Sequence, residues 1–371
     1  MSKNCRVLPQ PPYVPRYNEL KHQRLSKNSQ SRISYFSDRS ISEISLPERF
    51  TSPFCYEPHP LTKLAATELQ HYLETQTHLD HNFGLRADQE GVIDGKMFGV
   101  LVVQDTEGKL GYLSAFSGKL AGSNNHPGFV PPVFDMLAEN SFFIKEITII
   151  NTVNARIKEI EEDKNYQHLK QHVEKLSTQS LHEISAFKRQ LKSNKERRKQ
   201  VREKQKNGMS QQDYGAMEAE LIRHSLHDKH QLNVLTSKWR QILEEAQTGS
   251  AQFECDLRIL KNTRKEKSTA LQQQLFKQYV FLNKDGKSKS LQEIFSSTPF
   301  GKPPTAAGEC ASPKLLQFAF ANGYKPLAMA EFWWGAAPKS EIRQHKHYYP
   351  ACTGRCKPIL AHMLEGILEW P

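Results

Sequence analysis

The chain has 371 residues, of which 37% are hydrophobic, 9% aromatic and 25% charged, and its formal net charge is +11. Such a chain is long enough for one or two hydrophobic cores and too apolar to be disordered throughout. Its apolar runs fall far short of the roughly 20 residues that span a bilayer, its first thirty residues contain no apolar signal region, and its six cysteines are too sparse for a disulfide scaffold. The expectation is a cytoplasmic protein with no membrane partner.

The positive charge is segregated. Residues 1–50 carry a net +5 and residues 151–280 a net +8, whereas the remainder carries −2. Residues 1–45 mix Pro, Ser, Asn and basic residues without periodicity and read as a disordered basic arm. Beyond it, Leu61, Leu64, Ala65, Leu69 and Leu73 share one helical face, with Pro60 suited to the first turn. The apolar stretches 97–103 and 110–116 flank Asp105-Thr106-Glu107-Gly108, a hairpin signal. A glycine-rich loop over 118–128 and a further apolar patch over 133–150 follow.

From 153 to 282 proline is almost absent, and apolar residues recur in steps of three and four, as at Leu169, Val173 and Leu176 or Leu232, Leu235, Trp239 and Ile242. That narrow seam predicts a long antiparallel helical hairpin. Asn207-Gly208-Met209-Ser210 marks one break, and Thr248-Gly249-Ser250 suggests a second. Past it, Asn283-Lys284-Asp285-Gly286 is a turn, 311–321 a short apolar helix, 327–334 a buried strand and 359–368 another helix. The fold class expected is therefore α+β: one small globular domain, built from 46–150 and 283–371, interrupted by a helical coiled-coil insertion over 151–282.

Two groups of residues suggest chemistry. Over 188–206 ten basic residues face two glutamates, a net +8. Lys188, Arg189, Lys192, Lys195, Arg197, Arg198, Lys199 and Arg202 are the candidate contacts to phosphate, the partner that such charge density suits. Solvated helix faces also carry such charge. The second group is Cys310, Cys352 and Cys356, each near the start of a helix, where the positive dipole end favours thiolate and metal binding. His345, His347 and His362 are possible fourth ligands. Three thiolates with an imidazole would make a closed structural zinc site, and three with water an open one, whereas packed free thiols need no metal.

The element order also invites comparison with zinc-dependent nucleobase deaminases, which it resembles as helix, hairpin, ligand helix, strand and cysteine helix. The chemistry departs from that pattern. Such enzymes place a proton-shuttling glutamate two residues after the first ligand, whereas Glu309 precedes Cys310 and position 312 is Ser, and Cys352 and Cys356 are separated by three residues. No other catalytic motif is present, so no catalytic residue is assigned.

Several phrases are more specific: Phe54-Cys55-Tyr56-Glu57-Pro58-His59-Pro60-Leu61, Gly95-Lys96-Met97-Phe98-Gly99-Val100-Leu101-Val102-Val103, Ser114-Ala115-Phe116-Ser117-Gly118-Lys119-Leu120-Ala121-Gly122-Ser123, His126-Pro127-Gly128-Phe129-Val130-Pro131-Pro132-Val133-Phe134-Asp135, Gly308-Glu309-Cys310-Ala311-Ser312-Pro313-Lys314-Leu315-Leu316 and Ala330-Glu331-Phe332-Trp333-Trp334-Gly335. Together they resemble the long N-terminal region of a bacterial subgroup of the RluA family of pseudouridine synthases, over about residues 46–371. The resemblance implies uridine isomerisation in ribosomal or transfer RNA without a cofactor, by an aspartate in a His-Arg-Leu-Asp-type motif of a domain that normally follows this region. That motif is absent here, so the expectation is an RNA-binding accessory region whose catalytic half is truncated or encoded separately. The alternatives are a coiled-coil interaction protein and a zinc-binding, deaminase-like domain.

Overall fold

The structure, a computed structural model, describes residues 32–54, 57–206, 208–338 and 341–367. In chain order its elements are β1 (Ile33–Tyr35), α1 (Asp38–Ile41), α2 (Pro60–Thr75), β2 (Lys96–Gln104), β3 (Leu110–Phe116), α3 (Phe142–Glu162), α4 (Lys164–Gln205), α5 (Gln211–Gln278), β4 (Val280–Leu282), β5 (Ser288–Ser290), α6 (Leu291–Ser296), α7 (Ala311–Ala321), β6 (Lys325–Trp334), β7 (Tyr348–Tyr349) and α8 (Cys356–Met363). Two compact units result. One contains residues 148–267, and the other contains the flanking segments up to 147 and from 268. The α+β class with a helical insertion is what the sequence predicts. Of the basic arm expected over 1–45, residues 1–31 lie outside the described residues, while the part from Arg32 supplies β1. Among the described residues no helix is long and apolar enough to cross a membrane.

The second unit is built on an antiparallel five-stranded sheet of order β1-β3-β2-β6-β7. β2 and β3 form the predicted hairpin, and the Asp105 carboxylate accepts from the Glu107 and Lys109 amides at 2.9 Å, which fixes the turn. Side chains alternate across the sheet. Phe98, Val100, Val102, Phe332 and Trp334 pack with Leu61, Ala65, Leu69 and Leu73 of α2 on one face. Leu101, Val103, Leu113 and Met329 pack with Leu315, Leu316, Ile359, Leu360 and Met363 of α7 and α8 on the other. Pro60 begins α2 as expected, and His59 Nδ1 accepts from the Leu61 amide at 3.2 Å as its cap.

The other unit is the helical hairpin. Glu183 accepts from Trp239 Nε1 at 2.9 Å, Asn194 and Arg198 meet Asp228, and Arg202 meets Glu218, so the partners advance along α4 as they retreat along α5. The helices are thus antiparallel. Near the other end Ile157, Ile160, Tyr166 and Leu257 form a small core, with the Tyr166 and Phe253 rings 5.3 Å apart. α4 ends at Gln205 and α5 begins at Gln211, on either side of the expected break, and Ser210 Oγ accepts from the Asp213 amide at 3.2 Å as an N-cap.

Two details differ from the sequence reading. Asp163, whose carboxylate accepts from the Tyr166 amide at 2.8 Å, caps α4 and divides it from α3. The break suggested at 248–250 is absent, because α5 runs unbroken through Gly249. A Cβ at Gly249 would stand 3.2 Å from Leu169 Cδ2, so the missing side chain serves close approach of α4 instead of chain reversal.

One buried cation ties α7 to the sheet. Lys314 is only 2% exposed, and its Nζ donates to Phe116 O at 3.1 Å and Gly118 O at 3.2 Å and lies 3.5 Å from Glu309 Oε2. Glu309 also accepts from the Tyr279 hydroxyl. Burial pushes the Lys314 pKa down, against the opposing pull of Glu309. Lys314→Met should therefore destabilise the protein by about 3–5 kcal/mol, since it strands Glu309 and two carbonyls without their cation. Urea denaturation measures this: the midpoint should fall at constant m-value, and an unchanged midpoint would show the cation to be dispensable.

Candidate metal centre

Three thiols distant in sequence converge at the starts of two neighbouring helices. Cys310 is the N-cap of α7 and Cys356 the first residue of α8, whose flanks Ile359, Leu360 and Met363 are buried against α7 and the sheet. The start of α7 is pinned by hydrogen bonds to the end of β3, from Ala311 N to Ser117 Oγ at 3.3 Å and from Gly118 N to Glu309 O at 2.8 Å. The segment ahead of α8 is pinned by Ala351 N donating to Pro53 O at 2.8 Å. Cys352 then turns into the helix, its carbonyl accepting from the Cys356 and Lys357 amides at 3.2 and 3.1 Å.

The sulfurs of Cys310, Cys352 and Cys356 all lie within 4.8 Å of one another. Cys352 Sγ is 3.3 Å from Cys356 Sγ, and the Cys356 amide points at it over 3.3 Å. A tetrahedral zinc with bonds of about 2.3 Å holds its sulfurs about 3.8 Å apart, so this set needs only small adjustments to take the ion. Cys356 is buried, Cys310 partly buried, and Cys352 the most open.

The thiols are electrostatically unequal. Hydrogen bonds from Cys310 and Cys356, supported by the Arg355 and Cys356 amides, push the Cys352 pKa far down despite its desolvation. Cys310 and Cys356 are pushed up, first by their hydrogen bonding within the cluster and then by burial. A divalent cation bound by the three sulfurs would favour their thiolate forms and release their protons. The three cysteines can hold a metal ion such as zinc.

The histidines offered as fourth ligands are not brought to the sulfurs. His345 Nδ1 accepts from the Gly335 amide at 3.1 Å, with its ring against Trp334, and His362 Nε2 lies 3.0 Å from Phe281 O. His347 is exposed. Among the described residues the ligand group is the three cysteines alone.

Beside them stands a residue that the sequence reading passed over. Glu331 lies in β6, between β2 and β7, and by strand parity it faces α7 together with Met329. Its Oε1 accepts from the Ser312 amide at 3.0 Å in the first turn of α7. Gly99 makes room there: a Cβ would meet Ala311 Cβ at 3.0 Å and Glu331 Cγ at 3.5 Å. Burial raises the Glu331 pKa to about 7, against the Ser312 hydrogen bond and with support from the negative charge of Cys352. The signal available in the sequence was one acid inside an apolar central strand, which cannot be left without a partner.

The candidate phosphate contacts lie on α4, in the helical hairpin. Lys188, Arg189, Lys192, Lys195, Arg197 and Lys199 are exposed. Arg198 and Arg202 turn instead toward α5, where Arg198 Nη1 is 2.6 Å from Asp228 Oδ2 and Arg202 Nε 2.9 Å from Glu218 Oε2. In comparisons with known proteins the chain matches no family model, no curated protein and no solved structure.

Proposed function

We propose that the chain is an RNA-binding accessory region of the kind that precedes the catalytic domain in the pseudouridine synthases it resembles, with ribosomal or transfer RNA as partner. The observation that carries this reading is a lysine stripe. Lys188, Lys192, Lys195 and Lys199 follow one another in steps of four, three and four and are all exposed. On a helix they form a row about 16 Å long. Leu191, Asn194, Arg198 and Arg202, which are half-buried, occupy the face turned to α5, so stripe and seam are separate. Such a row contacts phosphate without reading sequence; specificity then belongs to a catalytic domain, on another chain or beyond this region. In the other unit, zinc held by Cys310, Cys352 and Cys356 joins the start of α7 to the start of α8 and keeps the platform rigid.

The direct test is fluorescence anisotropy of the full chain with a structured ribosomal RNA fragment across a salt series. Four to six phosphate contacts predict a log–log slope of about −3 to −5. Affinity that ignores salt, or no binding at low salt, would remove the assignment.

A further inference from the structure

Two of the three cysteines form a pair with chemistry of its own. Cys352 O accepts from the Cys356 amide at 3.2 Å, one helical turn, which sets their Cα atoms about 6 Å apart, inside the range that a disulfide spans. Their sulfurs are already 3.3 Å apart. Closing that gap to a bond of about 2 Å asks little of the backbone, because both residues belong to the same turn, whereas Cys310 stands on α7. The two ends of the pair differ in access. Cys352 is the most open of the three cysteines, Thr353, Gly354 and Arg355 beside it are exposed, and a Cβ on Gly354 would meet nothing within 4 Å. Cys356 is buried. A small oxidant therefore reaches Cys352 first, and the Cys356 amide that points at its sulfur over 3.3 Å favours the thiolate, the form that attacks.

We propose that Cys352 and Cys356 are a peroxide-reactive dithiol, in which hydrogen peroxide oxidises Cys352 and Cys356 resolves it as a disulfide. The Cys352 thiolate attacks one peroxide oxygen, the O–O bond breaks, and the other oxygen leaves as hydroxide, so that Cys352 carries a sulfenic acid. The Cys356 sulfur then attacks the Cys352 sulfur. The S–O bond breaks, and hydroxide leaves with the Cys356 proton as water. The two sulfurs together give up two electrons and two protons, and the peroxide is reduced to two waters. With the pair joined, Cys310 is the single thiolate left in the cluster, too few to hold zinc, so oxidation also releases the ion. The thiol chemistry needs no metal; only the release rests on the zinc reading above.

The test treats the full chain, purified under a thiol reductant and then freed of it, with hydrogen peroxide. Trypsin cuts after Arg355, between the two cysteines, so mass spectrometry reads the disulfide as a linked pair of peptides lighter by two hydrogens. Zinc should leave in step with the linkage, about one equivalent per chain, and a thiol should restore the free cysteines. Cys356→Ser removes the resolving sulfur and should let Cys352 accumulate as sulfenic acid, trapped by dimedone. Cys310→Ser should lack zinc and still form the linked pair, which keeps the proposal falsifiable if Cys356→Ser fails to fold. Peroxide that leaves both thiols intact, Cys352 driven to sulfinic acid with no linked pair, or a disulfide that joins Cys310 instead would each overturn the proposal. A linked pair in protein that never held zinc would overturn the metal reading and leave the dithiol standing.

Discussion

Replacing Cys352 and Cys356 together with serine should abolish stoichiometric zinc and lower the melting temperature by about 8–16 °C. The estimate comes from linkage. A ligand present at about a thousandfold above its dissociation constant contributes about 4 kcal/mol, and a unit of this size shifts by about 2–4 °C per kcal/mol. The mechanism is local: without the ion, the start of α8 loses its tie to the start of α7. The decisive comparison is between the double variant and chelated wild type. If metal is the cause, the two should melt together and only the wild type should recover on adding zinc. A double variant as stable as zinc-treated wild type, with zinc far below one equivalent in both, would return the cysteines to packed free thiols.

Much of the architecture is legible because its signals are local. Pro60 with the apolar stripe from Leu61 to Leu73 yields α2, and the Asp105 turn between two apolar stretches yields the hairpin. The parts that escaped depend on neighbours. Ile33–Tyr35 is too short to declare itself, and the open edge of β3 makes it a strand. Gly249 reads as a break until Leu169 is seen against it. At the candidate metal centre, helix starts bring three cysteines into view, but no periodicity says where His345 or His362 will point. Each histidine already makes a backbone contact within its own surroundings. Glu331 is the converse case, a residue silent in sequence whose meaning comes from pairing with Ser312 across a sheet and a helix.

The helical hairpin permits a sharper test of RNA contact, because charge that faces solvent and charge that holds the helices together stand on different sides of α4. Changing Lys188, Lys192, Lys195 and Lys199 to glutamine removes four exposed cations and leaves the seam to α5 intact. Each lost phosphate contact withholds about 0.7–0.9 of a released counterion, so the salt slope should become shallower by about 3, with affinity at low salt falling by orders of magnitude. Arg198→Ala should behave in the opposite way. Arg198 and Asp228 are mostly shielded, with side chains only 12% and 19% exposed, so breaking the pair leaves Asp228 with Asn194 alone. The expected result is a loss of about 1–2 kcal/mol in hairpin stability, between the values for exposed and fully buried pairs, with a salt slope like that of wild type. Circular dichroism melts alongside the binding series separate these effects. If the four lysine changes leave the slope untouched while Arg198→Ala flattens it, phosphate contacts the protein through the seam side or elsewhere, and the lysine stripe is only a solvated helix face.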